Sequence, residues 1–425
     1  MIVVMVLFFI ISMVAAYTNR NLIFEQRTSS NQQRSTRALE AAEAGVEWAL
    51  TLLNNGRLTA ACTTSTVAAD TDFRKRYLEF GPVFGDIKPL KRSDTTLPDR
   101  GLYPTCVYNG TDWSCDCPTD AAPSVTAPVG TGIYPAFRVR FRRVCAVANA
   151  EDSACVTPYR PGVIHIDVNG CTSLSEDCLS FPGKPAAGEG RATVHVVAAL
   201  KAGLPGTPSA ALTARTGVDI GASTLGAFNA DPSTGLTIHT GGLLNATGAR
   251  LFGPPGTPGT QTTLSNDSFL VALSADRMFT NTFGLWKDGY RDQPASVVMD
   301  CSAGCTAAQL RAKVAMNPGR VFWLNGDLDL DSAGDIGTSD QPVVLNVTGN
   351  VIFSSALTVY GVVYSQATTW TSSGAGSIVG AAIAEGGFAG SATTDIVYDR
   401  SVLTRLRTLT GSFVRLPGSW KDFDS

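Results

Sequence analysis

MIVVMVLFFIISMVAAYTNRNLIFEQRTSSNQQRSTRALEAAEAGVEWALTLLNNG, residues 1–56, is the stretch that decides the fold. Eighteen residues precede the first strongly polar pair, Asn19 and Arg20, and only Ser12 interrupts the apolar run 1–17. No Lys or Arg precedes the run and no small-residue cleavage site closes it, so it does not read as a secretory signal peptide. A membrane-crossing helix needs about 20 apolar residues, and residues 1–17 reach only the lower end of the workable range. Nothing then breaks a helix before Asn54. The first Gly is Gly45, the first Pro is Pro82, and Gly56 stands where a C-cap belongs. At about 1.5 Å per residue this predicts a rod of roughly 80 Å, far longer than an ordinary globular helix.

In the second half of the rod the spacing predicts two apolar faces. At about 100° per residue, Leu39, Ala42, Val46, Ala49, Leu50 and Leu53 share one side. Ala41, Gly45, Trp48 and Leu52 fall roughly opposite, with Glu40, Glu43 and Glu47 between them. One face would pack on the protein's own body, with Leu39, Ala42, Val46, Trp48, Leu50 and Leu53 as the packing residues. The other would meet another helix, where Ala and Gly permit close approach. A helix buried on both sides inside one domain is the alternative.

The 425-residue chain is 44% apolar and only 16% charged, against a usual charged fraction of about 25%. Forty-two Gly and many Thr, Ser, Ala and Val favour a β-rich body. A net charge of −3 offers no basic footprint, so no nucleic-acid partner is expected. The ten Cys read as disulfides formed in an oxidising compartment, with Cys145, Cys155, Cys171, Cys178, Cys301 and Cys305 as candidates and the full connectivity open. Cys115 and Cys117 are a weak metal hint without a second pair at ligand spacing.

Three stretches carry a family resemblance: MIVVMVLFFIISMVAAY (1–17), NLIFEQRTSSNQ (21–32) and ALEAAEAGVEWAL (38–50). They resemble the start of a type IV pilin-like subunit, and in particular a PilX-type minor pilin. The resemblance implies that a prepilin peptidase removes a short basic leader and that the new first residue is N-methylated. Met1 would be that residue; an initiator Met is the alternative. Ile2, Val3, Val4, Met5, Val6, Leu7, Phe8, Phe9, Ile10 and Ile11 would lie in the filament core. Major pilins carry Glu at the fifth mature position, where it pairs with a neighbour's amine. Met5 stands there in this chain. A carboxylate buried among apolar helices needs a partner, and a subunit with none ahead of it can omit the acid. The resemblance therefore implies a minor, priming or tip pilin, with a principal shaft pilin as the alternative. Its partners would be other pilin subunits, in a homo- or hetero-polymer, and a tip adhesin. The inner membrane would hold it before assembly, and the bacterial cell-surface filament afterwards.

Three units follow from the texture of the chain: 1–56, the pilin-like helix; 57–215, a disulfide-containing β-sheet domain; and 216–425, a Gly-rich β-solenoid-like domain. FRVRFRR (137–143) sets Phe137, Val139 and Phe141 against Arg138, Arg140 and Arg142, the period of a half-buried strand with a solvated basic face. GVIHIDVNGC and RATVHVVAALK repeat the alternation. After residue 216, short apolar runs divided by Gly, Asn, Asp and Ser predict a β-solenoid or parallel β-helix, whose rungs bury their apolar faces only when stacked. A β-sandwich is the alternative. SADRMFTNTFG (274–284), NPGRVFWLNGDLDL (317–330) and LPGSWKDF (416–423) also resemble long PilX-like C-terminal regions. The fold class is thus α+β, a long N-terminal helix and a β-rich body.

Candidate chemistry is sparse. Asp327, Asp329, Asp331 and Asp335 in DLDLDSAGD have the alternate acids of a calcium loop, although Ser332 and Thr338 stand where an EF-hand needs Gly and Glu. The alternative is a strand with Leu328 and Leu330 turned inward. Calcium is the one cofactor candidate. GxSxG and GxxxxGK[ST] are absent, and no catalysis is expected. The reading is a structural pilin; a membrane-anchored surface binding protein or adhesin that never polymerises is the second choice.

Overall fold

The computed structural model describes residues 2–81, 85–97, 99–130, 133–144, 162–391 and 393–423. One unbroken helix runs Ile2–Leu53, 52 residues, or roughly 78 Å at the standard rise. The β-rich body that follows contains a six-stranded antiparallel sheet and one large parallel sheet.

The antiparallel sheet runs Gly411–Arg415, Arg191–Ala202, Val163–Cys171, Ala136–Arg143, Thr105–Tyr108, Trp113–Asp116. Its inner face carries Phe137, Val139, Ile166, Val168, Val194 and Val196, all fully buried. The helix docks there through Ala38, Ala41, Ala42, Gly45, Val46, Ala49, Leu52 and Leu53. At 100° per residue these eight lie within an arc of about 140°. The two apolar faces expected from the sequence are therefore one stripe. Leu39, Trp48 and Leu50 are its half-buried flanks, and Glu40, Glu43 and Glu47 lie on the far side. The two sets are centred only about 120° apart at 100° per residue, so they adjoin rather than oppose, and the small residues Ala38, Ala42, Gly45 and Ala49 fill the seam between them.

Glycine sets how close the layers come. A Cβ on Gly170 would sit 2.1 Å from the carbonyl oxygen of Ala38 and 2.5 Å from the amide nitrogen of Ala42. A Cβ on Gly45 would sit 2.6 Å from Cγ1 of Val168.

In the parallel sheet a single register passes through Val297, Phe322, Leu345, Val363, Ala382, Leu212, Ile238 and Thr263, each opposite the next. The six in the middle are buried. The order shows how the chain travels. It enters mid-stack at Ala210–Ala214 and steps outward through Leu236–Thr240 to Thr263–Leu264. The helices Ser268–Ala272, Ala275–Phe283 and Lys287–Arg291 follow, and the chain re-enters at the opposite end as Ser296–Thr306. It then returns rung by rung until Ser377–Ala384 pairs with Ala210–Ala214. Phe279 and Phe283 cover the sheet edge-on against Tyr364, at 5.3 and 5.2 Å.

Four disulfides lie among the described residues. Cys171–Cys178 and Cys301–Cys305 close short loops, and Cys106–Cys115 ties a hairpin. Cys62–Cys117 spans 55 residues and pins the segment after the helix to that hairpin. A loop of that length is worth about 4 kcal/mol in the chain-entropy picture. Cys115 and Cys117 thus belong to two different bridges. Cys145 and Cys155 lie outside the described residues, as does Met1.

Gly170→Val should push the helix off the sheet and cost about 1–3 kcal/mol or more, as overpacking does. Gly206, whose added Cβ would meet nothing within 4 Å, supplies the control: Gly206→Ala should melt with the parent in a thermal scan.

Candidate assembly surface

From Ile2 to Ser29 the helix touches no other part of the chain closely enough to be shielded: every residue is exposed. Thirteen large apolar side chains between Ile2 and Tyr17 are bare, from 54% exposure at Val6 and Leu7 to 79% at Ile2. At about 1.5–3 kcal/mol for burying each, the set represents roughly 20–40 kcal/mol of unrealised burial. That exceeds the whole net stability of a typical domain, about 5–15 kcal/mol. Water is not the resting place of this surface. The helix is long and apolar enough to cross a membrane, with a mean hydropathy of 2.3 over its best window.

The polar side chains on the bare rod are managed locally. Ser12 donates to the Phe8 carbonyl at 2.8 Å, Thr18 to Val14 at 2.8 Å and Thr28 to Phe24 at 2.9 Å. Each hydroxyl is satisfied within the helix, which suits an apolar surrounding. Arg20 is the first charged side chain and Glu25 the first acid, so residues 2–24 hold no carboxylate.

The far end of the rod is anchored by buried cations. Arg74 is 3% exposed; its Nε donates to the Leu53 carbonyl at 2.6 Å, Nη2 to Gly411 at 2.6 Å and Nη1 to Gly319 at 3.1 Å. Arg320 donates to the Asn55 carbonyl. Burial, and then the mutual repulsion with Arg320, lowers the Arg74 guanidinium well below its usual range. Burial pushes Arg320 down to about 10. A guanidinium stays protonated in proteins, and the two groups complement the negative end of the helix and occupy its orphan carbonyls. The Asn54 carboxamide takes both the N–H and the carbonyl of Phe413, each at 2.8 Å. One joint therefore ties the helix to both sheets.

The arginine stripe is largely covered, with Arg138 buried and Arg140 and Arg142 half-buried. Arg138 is 4% exposed and makes a two-pronged pair with Glu176 at 2.6 and 2.7 Å. Asp167, fully buried, lies directly across the sheet from Arg140 on one side and His195 on the other. It accepts from Arg140 Nη2 at 2.8 Å, from His195 Nδ1 at 2.7 Å and from Arg142. Phe181 lies against Arg140, 4.3 Å from ring centre to guanidinium. The strand at Lys421 exchanges both backbone bonds with His195, at 2.8 and 3.0 Å. Burial alone would raise the Asp167 carboxyl. The hydrogen bonds from His195 and Arg142, and the charges of Arg142 and Arg140, outweigh it and hold the group well below the usual carboxylate range.

The aspartate row is hydrogen-bonded to neighbouring segments. Asp327 accepts from the Asn350 amide at 2.7 Å, Asp329 from the Ser354 hydroxyl at 2.7 Å and Asp335 from the Thr358 amide at 3.0 Å. Asp331 turns the other way, to the Ala307 amide at 3.2 Å. These bonds staple one rung to its neighbours. Among the described residues no group of three or more His, Cys, Asp or Glu is gathered at metal-binding spacing; each of Asp327, Asp329, Asp331 and Asp335 accepts a hydrogen bond from a neighbouring segment.

With this geometry in hand, comparison with known families places the rod. Residues 1–47 are a PilX N-terminal domain. The match covers the bare segment, with Ile2–Ile11 at its tip, and most of the docked stripe, so this PilX domain is a type IV pilin-like N-terminus. No curated protein and no solved structure matches the chain.

Asp167→Asn should cost about 3–5 kcal/mol at pH 7, the usual penalty for leaving buried cations unpaired. Because the folded-state value lies below the unfolded value of about 3.9, the stabilisation is complete above about pH 5. It is lost as pH falls through 4 and below. Urea titrations should show that acid-side loss in the parent and a flatter profile in the variant.

Proposed function

We propose that the protein is a structural subunit of a type IV pilus or related filament, in a minor, priming or tip position, and that it performs no catalysis. The observation that carries this is the contrast along one helix: one face of residues 38–53 is sealed against the body while Ile2–Ile11 are bare all round. A monomer cannot cover such a tip, whereas a bundle of like helices or a membrane can. The inner membrane would hold the rod first, and the filament core would take it over. Other pilins are the direct partners, and a tip adhesin is a further one. After removal of a leader, the first residue of the mature chain would be N-methylated.

The minor or tip position is supported by the lack of any carboxylate in residues 2–24. A subunit stacked behind another needs an acid to neutralise the amine ahead of it; a leading subunit does not. For the body we propose a β-solenoid built largely from 216–425, displayed outside on the disulfide-tied sheet domain of 57–215. The eight-residue parallel register supports this, and Gly411–Arg415 lends a strand back to the first unit. A membrane-anchored surface protein that never polymerises is the second reading, since the same helix would serve as its anchor.

Val4→Arg and Leu7→Arg place a charge in the bare tip, far from the body. Each should abolish recovery of the chain in sheared filaments while the melting curve stays that of the parent. Filaments that still contain either variant would count against core burial of the tip.

A further inference from the structure

Ser296–Thr306 is the longest strand among the described residues that pairs on one side only. The Gly411–Arg415 edge is capped by Asn54, which supplies a donor and an acceptor to Phe413 as a strand would. At the far end of the parallel sheet Leu236–Thr240 is covered by 262–267, with the Thr237 amide donating to Thr262 at 2.7 Å and the Asp267 amide to Thr240 at 3.2 Å, and the outermost strand, Thr263–Leu264, is only two residues long. Trp113–Asp116 is short and bridged at Cys115. Ser296–Thr306, at the other end of the parallel sheet, pairs only with Val321–Asp329.

The direction of its backbone groups follows from one bond. Ser296 lies opposite Val321, and the Val321 amide donates to the Ala295 carbonyl at 3.2 Å. In a parallel ladder the groups alternate along the strand. Ala295, Val297, Met299 and Cys301 therefore face the neighbouring strand, and Ser296, Val298 and Asp300 face outward. The Ser296 amide is used by the Gln293 carbonyl at 2.9 Å. The Ser296 carbonyl, both groups of Val298 and the Asp300 amide are left for a newcomer. The Val298 side chain is 49% exposed, and between 295 and 306 the only charge is Asp300. Natural edges are usually blunted by Lys, Pro or a bulge; here the bulge and disulfide at Cys301–Cys305 begin only beyond Asp300. At its start the edge opens into a hollow of about 500 Å³ lined by Leu50, Asn54, Pro294, Phe413 and Val414.

We propose that the outer edge of residues 296–300 is a docking site for an extended, basic-ended segment of a different protein, not a second copy of this chain, which adds to the parallel sheet as a further strand. The row of free amides and carbonyls selects extended backbone. Val298 selects an apolar side chain beside it, and Asp300 a basic one. The site is independent of whether the chain polymerises.

The test uses the full chain in detergent micelles and a fluorescein-labelled hexapeptide of alternating Val and Thr ending in Lys, followed by anisotropy. Saturable binding is expected. Val298→Pro removes only an outward amide and should weaken binding at least tenfold, while Val298→Thr keeps it. Asp300→Lys, a surface change, should transfer the preference to the same peptide ending in Glu. Absence of saturable binding, or binding that both Val298→Pro and Asp300→Lys leave unchanged, overturns the proposal. A dimer in sedimentation velocity that Val298→Pro dissolves would overturn it in favour of a second copy on this edge.

Discussion

The close approach of one helix to one sheet is the constraint on which the rest depends. Ala38, Ala42 and Gly45 meet Gly170, Val168 and Phe137 at distances that no larger side chain would allow. That contact fixes residues 38–53 over four strands of the sheet, from Gly411–Arg415 to Ala136–Arg143. The Arg74 and Arg320 guanidinium groups then close the helix end onto Gly319 and Gly411. With its second half held so firmly, the first half has no freedom to fold back. It must project, and its apolar surface must be covered by something other than this body.

The two sheets meet the same physical demand differently. The antiparallel sheet buries one apolar face under the helix and a charged face under the segment 172–190 and the C-terminal tail, where Asp167 balances Arg140, Arg142 and His195. The parallel sheet has no helix of that length. It buries aliphatic residues against each other in register, and the short helices between Ser268 and Arg291 cross from one end to the other over its aromatic side. Glu385 lies where the two runs of the chain meet, accepting from Lys287 at 2.8 Å and from Tyr364 at 2.8 Å.

Much of this was legible in the sequence, because local signals carry it. The apolar run, the absence of breakers to Asn54 and the alternation of Phe137, Val139 and Phe141 follow from nearest-neighbour chemistry. The Cys301–Cys305 loop is equally local. Non-local pairing was not legible. Nothing near Asp167 announces that His195 will lie across from it, although both occupy outward positions in their strands. The acids of DLDLDSAGD looked like calcium ligands because alternate Asp suits both a metal loop and a rung edge; only the neighbouring rung distinguishes them. The helix was misread where two adjoining sets of residues were taken as opposite faces: Ala38, Gly45 and Ala49 lie at the centre of one continuous contact. The Cys62–Cys117 bridge and the mid-stack entry of the parallel sheet likewise depend on partners far along the chain.

Mass spectrometry of filaments sheared from cells and washed free of membrane bears most directly on the central claim, that the bare half of the helix is buried among other helices. The account predicts peptides from both the apolar segment and the β-rich body in the filament fraction, in equal proportion and linked in one chain. Finding the chain wholly in the membrane fraction, or finding the body in filaments without its N-terminal helix, would contradict it.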